Sequence, residues 1–297
     1  MTESSISGYE IFHGFLSGYR NIMNHRDHIN KINVFPVPDG DTGNNMIHTF
    51  RSIVDNLECR RSASWVLEGI AYYSLNGARG NSGIIISQYL NGLARAAANR
   101  QTITVREFGT MLLDAVSDAY QAMDQPREGT ILTVLQTWAG TVNRAGAVGE
   151  SLTSMLTRGY DAARKALKHT PDQLSVLKDN KVVDAGAWGF VSFIEGIQRL
   201  LRDGPVPISL RRKLLGAPEP ELTPSHVKSP DAYRDLEYRY CTEVLVESSE
   251  EDLEAVKAQL RALGDSLIVS RGAGRFRIHI HSNHPESVVN LGRSYGR

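Results

Sequence analysis

The sequence VFPVPDGDTGNN, from Val34 to Asn45, carries the features on which the predicted fold and site depend. Two prolines stiffen the segment, and it ends where a helical pattern begins. Asp39 and Asp41 lie two residues apart, so in an extended turn their carboxylates point to the same side. Convergent carboxylate oxygens are the ligands that Mg²⁺ prefers, and Gly40 and Gly43 allow the backbone to fold tightly around a ligand. The alternative interpretation is an ordinary surface turn.

Apolar residues on both sides of this segment recur with a helical period, from about residue 8 to residue 202. One apolar stripe begins at Phe12, and another begins at Met46 directly after the turn. Thr104 and Glu107 form a capping box, which predicts a helix start. The pattern predicts about eight helices and no strand in this region, and three of the later helices are predicted at residues 130–144, 151–168 and 187–202.

Three further glycine-rich loops each precede a predicted helix. They are NGARGNSG at residues 76–83, PREGT at residues 126–130 and VDAGAWG at residues 183–189. Free N–H groups at a helix N-terminus suit a phosphate group, although each loop alone is also a common turn with a helix cap. Alternate loops of an up-and-down bundle lie at the same end. Together the loops therefore predict a Mg²⁺–phosphate site at one end of a helical bundle.

The proline density marks a linker at residues 204–230, which contain more than half of the 11 prolines. The helical domain is accordingly expected to occupy residues 1–203, and a small α+β domain residues 231–297. Residues typical of strands predict three of them at residues 238–246, 266–270 and 275–281, with helices at residues 251–263 and after Pro285.

The bulk composition narrows the class of protein. Lys+Arg and Asp+Glu both number 33, so the formal net charge is zero, which argues against an extended nucleic-acid-binding surface. The two cysteines, Cys59 and Cys241, are far apart in sequence and predict no disulfide framework. There is no signal-peptide pattern, and no apolar run reaches the roughly 18 residues of a membrane span. We therefore expect a soluble, cytoplasmic protein.

The predicted strand at residues 275–281 alternates between two faces. Its even-numbered residues are apolar, whereas Arg277, His279 and His281 share the other face. Two histidines on one face can share a metal ion, and Cys241 on another strand would add a soft third ligand, a set that suits Zn²⁺. The alternative is that both histidines face solvent on an exposed sheet and that Cys241 is simply buried.

Four motifs, in order and with similar spacing, resemble one known family. They are NKINVFPVPDGDTGNNM at residues 30–46, GARGNSGIIISQ at residues 77–88, REGTILTV at residues 127–134 and VVDAG at residues 182–186. Together they are similar to the nucleotide-binding domain of the dihydroxyacetone kinase L-subunit (DhaL) superfamily, and within it to bacterial fatty acid kinase ATP-binding subunits. YCTE at residues 240–243 and HIH at residues 279–281 resemble the middle domain of the same family, which supports the zinc prediction.

The resemblance implies a multidomain chain, in which an all-α eight-helix DhaL-type barrel is followed by a small α+β domain. The barrel would bind ATP through Mg²⁺ at one mouth. Asp39 and Asp41 would be the catalytic, magnesium-binding residues, and Asn33 occupies the position of a further ligand. The other residues that the resemblance places near the nucleotide are Thr42, Asn44, Asn45, Gly80, Asn81, Ser82, Thr130, Asp184 and Gly186. Residues 184–189 read DAGAWG, where many relatives have DAGG followed by a lysine.

The implied reaction is in-line phosphoryl transfer from ATP to a fatty acyl carboxylate, which needs no general base. A fatty-acid-binding protein of the DegV family would present the acceptor, and the product would be an acyl phosphate. The alternatives are a glycerone (dihydroxyacetone) kinase with a partner K-subunit, and a non-catalytic nucleotide-binding regulatory module. The resemblance also implies a further domain after Arg297, and a homodimer is compatible with the sequence.

Overall fold

A computed structural model of the chain describes residues 5–204, 237–248 and 252–297. The linker predicted for residues 204–230 lies outside these ranges, apart from Gly204. The first range contains eight long helices and two short ones, which confirms the predicted eight-helix domain. They are α1 (Gly8–Lys31), α2 (Thr42–Asn56), α3 (Ala63–Gly77), α4 (Gly80–Ala96), α5 (Val105–Ala122), α6 (Ile131–Ala147), α7 (Leu152–Lys168), α8 (Thr170–Gln173), α9 (Ser175–Asp179) and α10 (Ala185–Asp203). None of the described helices is both long and apolar enough to cross a bilayer.

The helices begin at local sequence signals. The predicted capping box of α5 is present, since the N–H of Glu107 donates to Thr104 Oγ1 at 3.2 Å and the N–H of Thr104 donates to a Glu107 carboxylate oxygen at 2.8 Å. An equivalent box formed by Ser7 and Glu10 begins α1. Each box satisfies two donors that would otherwise lack a partner, and it thereby fixes the first turn of its helix.

The prediction that this region contains no strand is wrong. β1 (Ser5–Ser7) and β2 (Thr102–Thr104) pair in an antiparallel ladder, and each leads directly into a capped helix. Ile6 and Ile103 are opposite each other in the ladder and are both buried. Three residues are too few for an alternating pattern to be distinguished in the sequence, which explains why the ladder is not predicted.

The eight long helices form a closed ring in which each packs on the next, and α10 closes the ring against α1. The α1–α10 approach is close because glycines line it. A Cβ added to Gly196 would lie 2.4 Å from the carbonyl oxygen of Ser17 and 2.7 Å from Gly18 Cα. The ring surrounds an apolar cavity of about 450 Å³, to which Phe50 and Trp138 contribute. The helical domain is therefore a barrel rather than a solid bundle.

The second domain is a three-stranded antiparallel sheet with helices on one face. Its strands are β3 (Tyr240–Glu247), β4 (Gly264–Gly272) and β5 (Arg275–Ser282), in the order β3–β5–β4. Its helices are α11 (Leu253–Leu260) and α12 (Pro285–Tyr295). The apolar residues that form its core are Val246, Val256, Leu260, Leu267, Val269, Phe276, Ile278, Ile280 and Val288. The predicted α+β class of this domain is confirmed.

The other face of the sheet packs on the barrel. Ile268 of β4 belongs to the hydrophobic core of the helical domain, and it forms a β-bridge with Met123 at the end of α5. The N–H of Asp124 donates to the carbonyl oxygen of Leu267 at 3.1 Å. The sheet is thus a wall across one end of the barrel, with one face used for its own core and the other for the helices.

Candidate functional site

Buried amide side chains hold the proline-framed turn between α1 and α2. Asn33 Nδ2 donates to the carbonyl oxygen of Val37 at 2.8 Å, and Asn33 Oδ1 accepts from the N–H of Thr42 at 3.0 Å and from its hydroxyl. Gly40 has a φ of +72°, a conformation that glycine adopts without strain. Asn33 therefore braces the turn, and its role as a magnesium ligand stays a prediction.

Asp39 and Asp41 lie in contact in this turn and influence each other's ionisation. Burial raises the pKa of Asp39, and the charge of Asp41 together with a side-chain hydrogen bond to it raises the pKa further, to about 7. Two carboxylates this close repel each other when both are ionised. A divalent cation between them would remove that repulsion, and carboxylate oxygens are suitable ligands for Mg²⁺. The pair therefore fits a magnesium site.

The start of α2 is capped from a different helix. Oδ1 of Asn30, near the end of α1, accepts from the N–H of Gly43 at 2.7 Å and from that of Asn44 at 3.2 Å. Within the described part of the chain, the preceding residue Asp41 makes no side-chain capping bond. Asn44 is buried, and its Oδ1 accepts from Asn30 Nδ2 at 3.2 Å. Asn44 thus lies behind the turn, and Asn30 is a supporting residue that no local sequence pattern identifies.

The start of α4 lies beside the turn. A Cβ added to Gly80, which has a φ of +60°, would lie 2.6 Å from Asn45 Nδ2. The side-chain oxygen of Asn81 is buried, and among the described residues it has no hydrogen-bond partner. A helix N-terminus also offers N–H groups without intrahelical acceptors. The segment from Gly80 to Ser82 therefore supplies donors that suit an anionic ligand.

Two more helix starts complete this end of the barrel. Thr130 caps α6, and Asp184 caps α10 by accepting the N–H of Ala187 at 2.7 Å. Gly186 contacts the α4 segment, since a Cβ there would lie 2.4 Å from Ser82 Oγ. A cavity of about 460 Å³ joins these loops to the proline-framed turn, and its lining from the barrel includes Phe35, Val37, Asn81, Ser82, Thr130 and Asp184.

The stability of the barrel is expected to depend on pH through Asp184. Burial raises the pKa of Asp184 from 3.8 to about 6, although hydrogen bonds from the N–H groups of Ala187 and Ile131 lower it. The folded state therefore binds more protons than the unfolded state between these two values. The contribution of Asp184 to stability is full below about pH 4 and is lost as the pH rises through about 6.

The variant Asp184→Asn keeps a capping oxygen but cannot ionise. Relative to wild type, we expect it to gain up to about 3 kcal/mol of unfolding free energy between pH 4 and pH 7.5. Urea unfolding at a series of pH values measures this gain. Asp179→Asn, which makes the same charge change at an exposed position, serves as the control. A difference between D184N and wild type that stays constant with pH would contradict the prediction.

The α+β domain forms the opposite wall of the larger cavity. Tyr238, Arg261, Asp265 and His281 line it from that side, and Arg261 is held in place by an ion pair with Asp124 at 2.6 Å. The sequence predicts no nucleotide contact for most of these residues, because they are single positions in separate segments. Their common position depends on how the sheet docks on the barrel.

Cys241, His279 and His281 come together on the sheet face that meets the barrel. Cys241 and His281 are paired in the β3–β5 ladder, and Cys241 Sγ lies 3.7 Å from His279 Nδ1. The candidate ligand atoms of the three residues all lie within 4.8 Å of one another. His279 is only 1% exposed whereas Cys241 is exposed. The alternative with solvent-facing histidines and a buried cysteine therefore does not hold for His279 or for Cys241.

The ionisation of this cluster suits a metal ion. Burial lowers the pKa of His279, but hydrogen bonds to Cys241 and Glu243 outweigh that effect and raise it to about 9. Burial lowers the pKa of His281 to about 4, and the charge of His279 adds to this effect. The two rings thus hold one proton between them. Metal ligands bind in their deprotonated forms, so a Zn²⁺ ion would replace that proton, and the Cys/His/His donor set fits it.

The cysteine–histidine cluster and the acidic turn line one small cavity of about 80 Å³. Asp39 and Asp41 lie on its barrel side, and Cys241, His279 and His281 lie on its sheet side. The sequence predicts these as two sites in two domains. The structure brings them together at the interface, next to the start of α4.

Two family profiles match the chain. The profile of the DAK2 domain matches residues 36–199, which is more than half of the chain. The chain belongs to the DAK2 domain family. This assignment confirms the predicted membership of the DhaL-type superfamily. A second profile, that of the FakA-like middle domain of fatty acid kinases, matches residues 237–297 of this DAK2 protein.

The DAK2 protein is similar over its whole length to several bacterial proteins. It is 32% identical to the protein YloV of Bacillus subtilis over an alignment of 309 residues, which covers 100% of the chain and 55% of YloV. It is also 32% identical to a Staphylococcus epidermidis protein over 306 residues, which covers 99% of the chain and 54% of that relative. The chain thus spans about half the length of the curated relatives that it matches.

Among solved structures, this DAK2 protein resembles dihydroxyacetone kinase from C. freundii. The complex of that enzyme with AMP-PNP and Mg²⁺ gives a TM-score of 0.48 at 16% identity, and covers 67% of this chain and 35% of that chain. The native form gives a TM-score of 0.47 at 17% identity, with 64% and 34% of the two chains covered. The family assignment rests on the DAK2 profile.

Proposed function

We propose that this DAK2 protein is the ATP- and Mg²⁺-dependent subunit of a kinase that phosphorylates a fatty acid carboxylate and gives an acyl phosphate. The DAK2 and fatty acid kinase-type domains support a kinase-subunit role. The observation that carries the proposal is the small cavity at the domain interface, where Asp39, Asp41 and the start of α4 meet the Cys241 cluster.

We place ATP in the larger cavity, with its phosphates towards the acidic turn. The cavity volume of about 460 Å³ is within the range of small-molecule sites. Asp39 and Asp41 would hold Mg²⁺, which neutralises charge on the phosphate oxygens. The N–H groups of Asn81 and Ser82 would donate to phosphate oxygens at the α4 N-terminus. The chain thus contributes mainly by binding and orienting the nucleotide.

The acceptor is proposed to be a carboxylate presented by another protein. A carboxylate is already a nucleophile, so no side chain has to remove a proton from it. The space between Asp39 and His279 is only about 80 Å³, which is too small for an acyl chain. A fatty-acid-binding protein of the DegV type would hold the chain elsewhere and bring only its carboxylate to this site.

Phosphate transfer from labelled ATP tests the proposal directly. The chain is mixed with Mg²⁺ and a DegV-type protein loaded with palmitate, and an acyl phosphate that reacts with hydroxylamine is the expected product. Dihydroxyacetone with a K-subunit is the parallel acceptor. Product from dihydroxyacetone alone would overturn the fatty acid assignment, and nucleotide binding without transfer to either acceptor would favour a regulatory module.

We also propose that Cys241, His279 and His281 hold Zn²⁺. Protein purified without chelators is expected to contain about one zinc ion per chain, measured by plasma mass spectrometry. Cys241→Ser replaces a soft ligand by a hard one and is expected to lower the zinc content about tenfold. Cys59→Ser, at another exposed cysteine, is the control and should retain the metal. Equal zinc contents in the two variants would contradict the assignment.

A further inference from the structure

The loop between α3 and α4 is held by charged residues of the other domain. Its second residue, Arg79, precedes α4 but makes no side-chain capping bond within the described part of the chain. Gly80 then enters the helix with a φ of +60°. A helix start of this kind leaves several N–H groups without acceptors, so the loop depends on partners from outside its own sequence.

Arg277 binds the end of α3. One terminal nitrogen of its guanidinium, Nη1, donates to the carbonyl oxygen of Leu75 at 3.3 Å and to that of Asn76 at 3.1 Å. Both carbonyls belong to the last turn of α3, where the helix dipole is negative. A cation from β5 therefore sits at the end of α3 that favours positive charge.

Glu243 binds the start of α4. Its Oε1 accepts the N–H of Gly80 at 2.8 Å, which supplies the cap that Arg79 does not provide. The dipole at a helix N-terminus is positive, so an anion is favoured there. Since Glu243 takes the N–H of Gly80, the next N–H groups, those of Asn81 and Ser82, remain for a ligand. Asn81 and Ser82 line both cavities.

The two charged side chains are also joined to each other. Arg277 Nη2 lies 3.0 Å from Glu243 Oε2, and the side chains are only 11% and 20% exposed, respectively. They project from neighbouring strands, β5 and β3, of one sheet. The ion pair is therefore a fixed unit that contacts both ends of the loop, with each charge at the helix end that it suits.

We propose that Glu243 and Arg277 form an interdomain clamp that holds residues 76–82 in the conformation that receives phosphate groups. In this role Glu243 is a positioning residue, which acts through the start of α4. The inference rests on the proposed function for its phosphate ligand. Its structural part, the restraint of the loop by the sheet, is independent of any ligand.

Hydrogen exchange and nucleotide binding test the two parts separately. In Glu243→Ala, amide exchange in peptides covering residues 78–83 of the ligand-free chain is expected to accelerate about tenfold, because the acceptor of the Gly80 N–H is removed. The affinity for ADP in excess Mg²⁺, measured by calorimetry, is expected to fall about tenfold. Glu243→Gln keeps an acceptor for Gly80 and should recover most of both losses.

Glu247→Gln is the matched control. Glu247 lies on the same face of β3 and pairs with Arg275 at 2.8 Å, and the loop contacts described above do not involve it. We expect E247Q to match wild type within about twofold in both measurements. Exchange in peptides covering β3 and β5 shows whether the E243A sheet is intact, and E243Q decides the question if it is not.

Each outcome decides one part. Faster loop exchange and weaker ADP binding in E243A, with E247Q unchanged, support the clamp. Faster exchange with unchanged ADP affinity overturns the positioning role, and unchanged exchange overturns the clamp itself. If wild type binds no ADP, the proposed function fails, and the restraint of the loop is still decided by exchange alone.

Discussion

Replacing both Asp39 and Asp41 by asparagine is expected to weaken Mg²⁺-dependent ADP binding by at least about a hundredfold. The two carboxylates lie in contact, and the charge of Asp41 helps to raise the pKa of Asp39 to about 7. They are the anionic groups that the barrel brings to the small cavity. Neutral amides of the same shape would leave the cation with no charged protein ligand. Calorimetry with ADP in excess Mg²⁺ measures the loss.

The same variant separates binding from folding. Removing the repulsion between two buried carboxylates should leave the thermal unfolding temperature equal to that of wild type or above it. Asp114→Asn, a single charge change at an exposed position of α5, is the control and should leave ADP binding unchanged. If the double variant bound ADP within about threefold of wild type, the acidic turn would not be the magnesium site.

Gly196→Ala is expected to lower the unfolding free energy by about 3 kcal/mol. The new Cβ would lie 2.4 Å from the carbonyl oxygen of Ser17 and 2.7 Å from Gly18 Cα. Both are backbone atoms of α1, so no side-chain rotation can relieve the overlap. Separation of the two helices would also break the bond that Ser17 Oγ donates to the carbonyl oxygen of Gly196 at 2.7 Å. Urea unfolding, followed by helical circular dichroism, measures the change.

Gly14→Ala is the matched control for this prediction. It introduces the same methyl group into α1 at a position where the nearest described neighbour, Ile197 Cγ2, would be 3.9 Å from the new Cβ. Alanine in a helix interior is favoured over glycine by about 1 kcal/mol, so this variant should be as stable as wild type or more stable. Equal stabilities of G196A and G14A would show that the α1–α10 contact does not restrict the barrel.

Much of the helical domain could be predicted from the sequence because its signals are local. The apolar stripes from Phe12 and Met46 both lie on long helices with buried faces, and the capping box at Thr104 begins α5 as predicted. The short elements give no such signals. The β1–β2 ladder has three residues in each strand, and the ends that it ties together are about a hundred residues apart in the sequence.

The individual loops of the site could be predicted, but their supports and the second wall could not. Asn30 caps α2 from a different helix, and Asn44 turns towards Asn30 rather than towards the cavity. Arg261 and Arg277 appear in the sequence as ordinary surface charges. Their partners, Asp124 and Glu243, lie in other segments. A contact that depends on the docking of two domains has no periodic pattern in either of them.

The position of β5 between β3 and β4 has a consequence for the order in which the protein is made. Domains near the N-terminus generally fold first during synthesis, so the barrel and its acidic turn are complete while the mouth is still open. Cys241 and Asp265 leave the ribosome before their β5 neighbour His281, which is the ladder partner of both. The nascent protein therefore has an open nucleotide mouth first, and the last sixty or so residues convert it into a walled site.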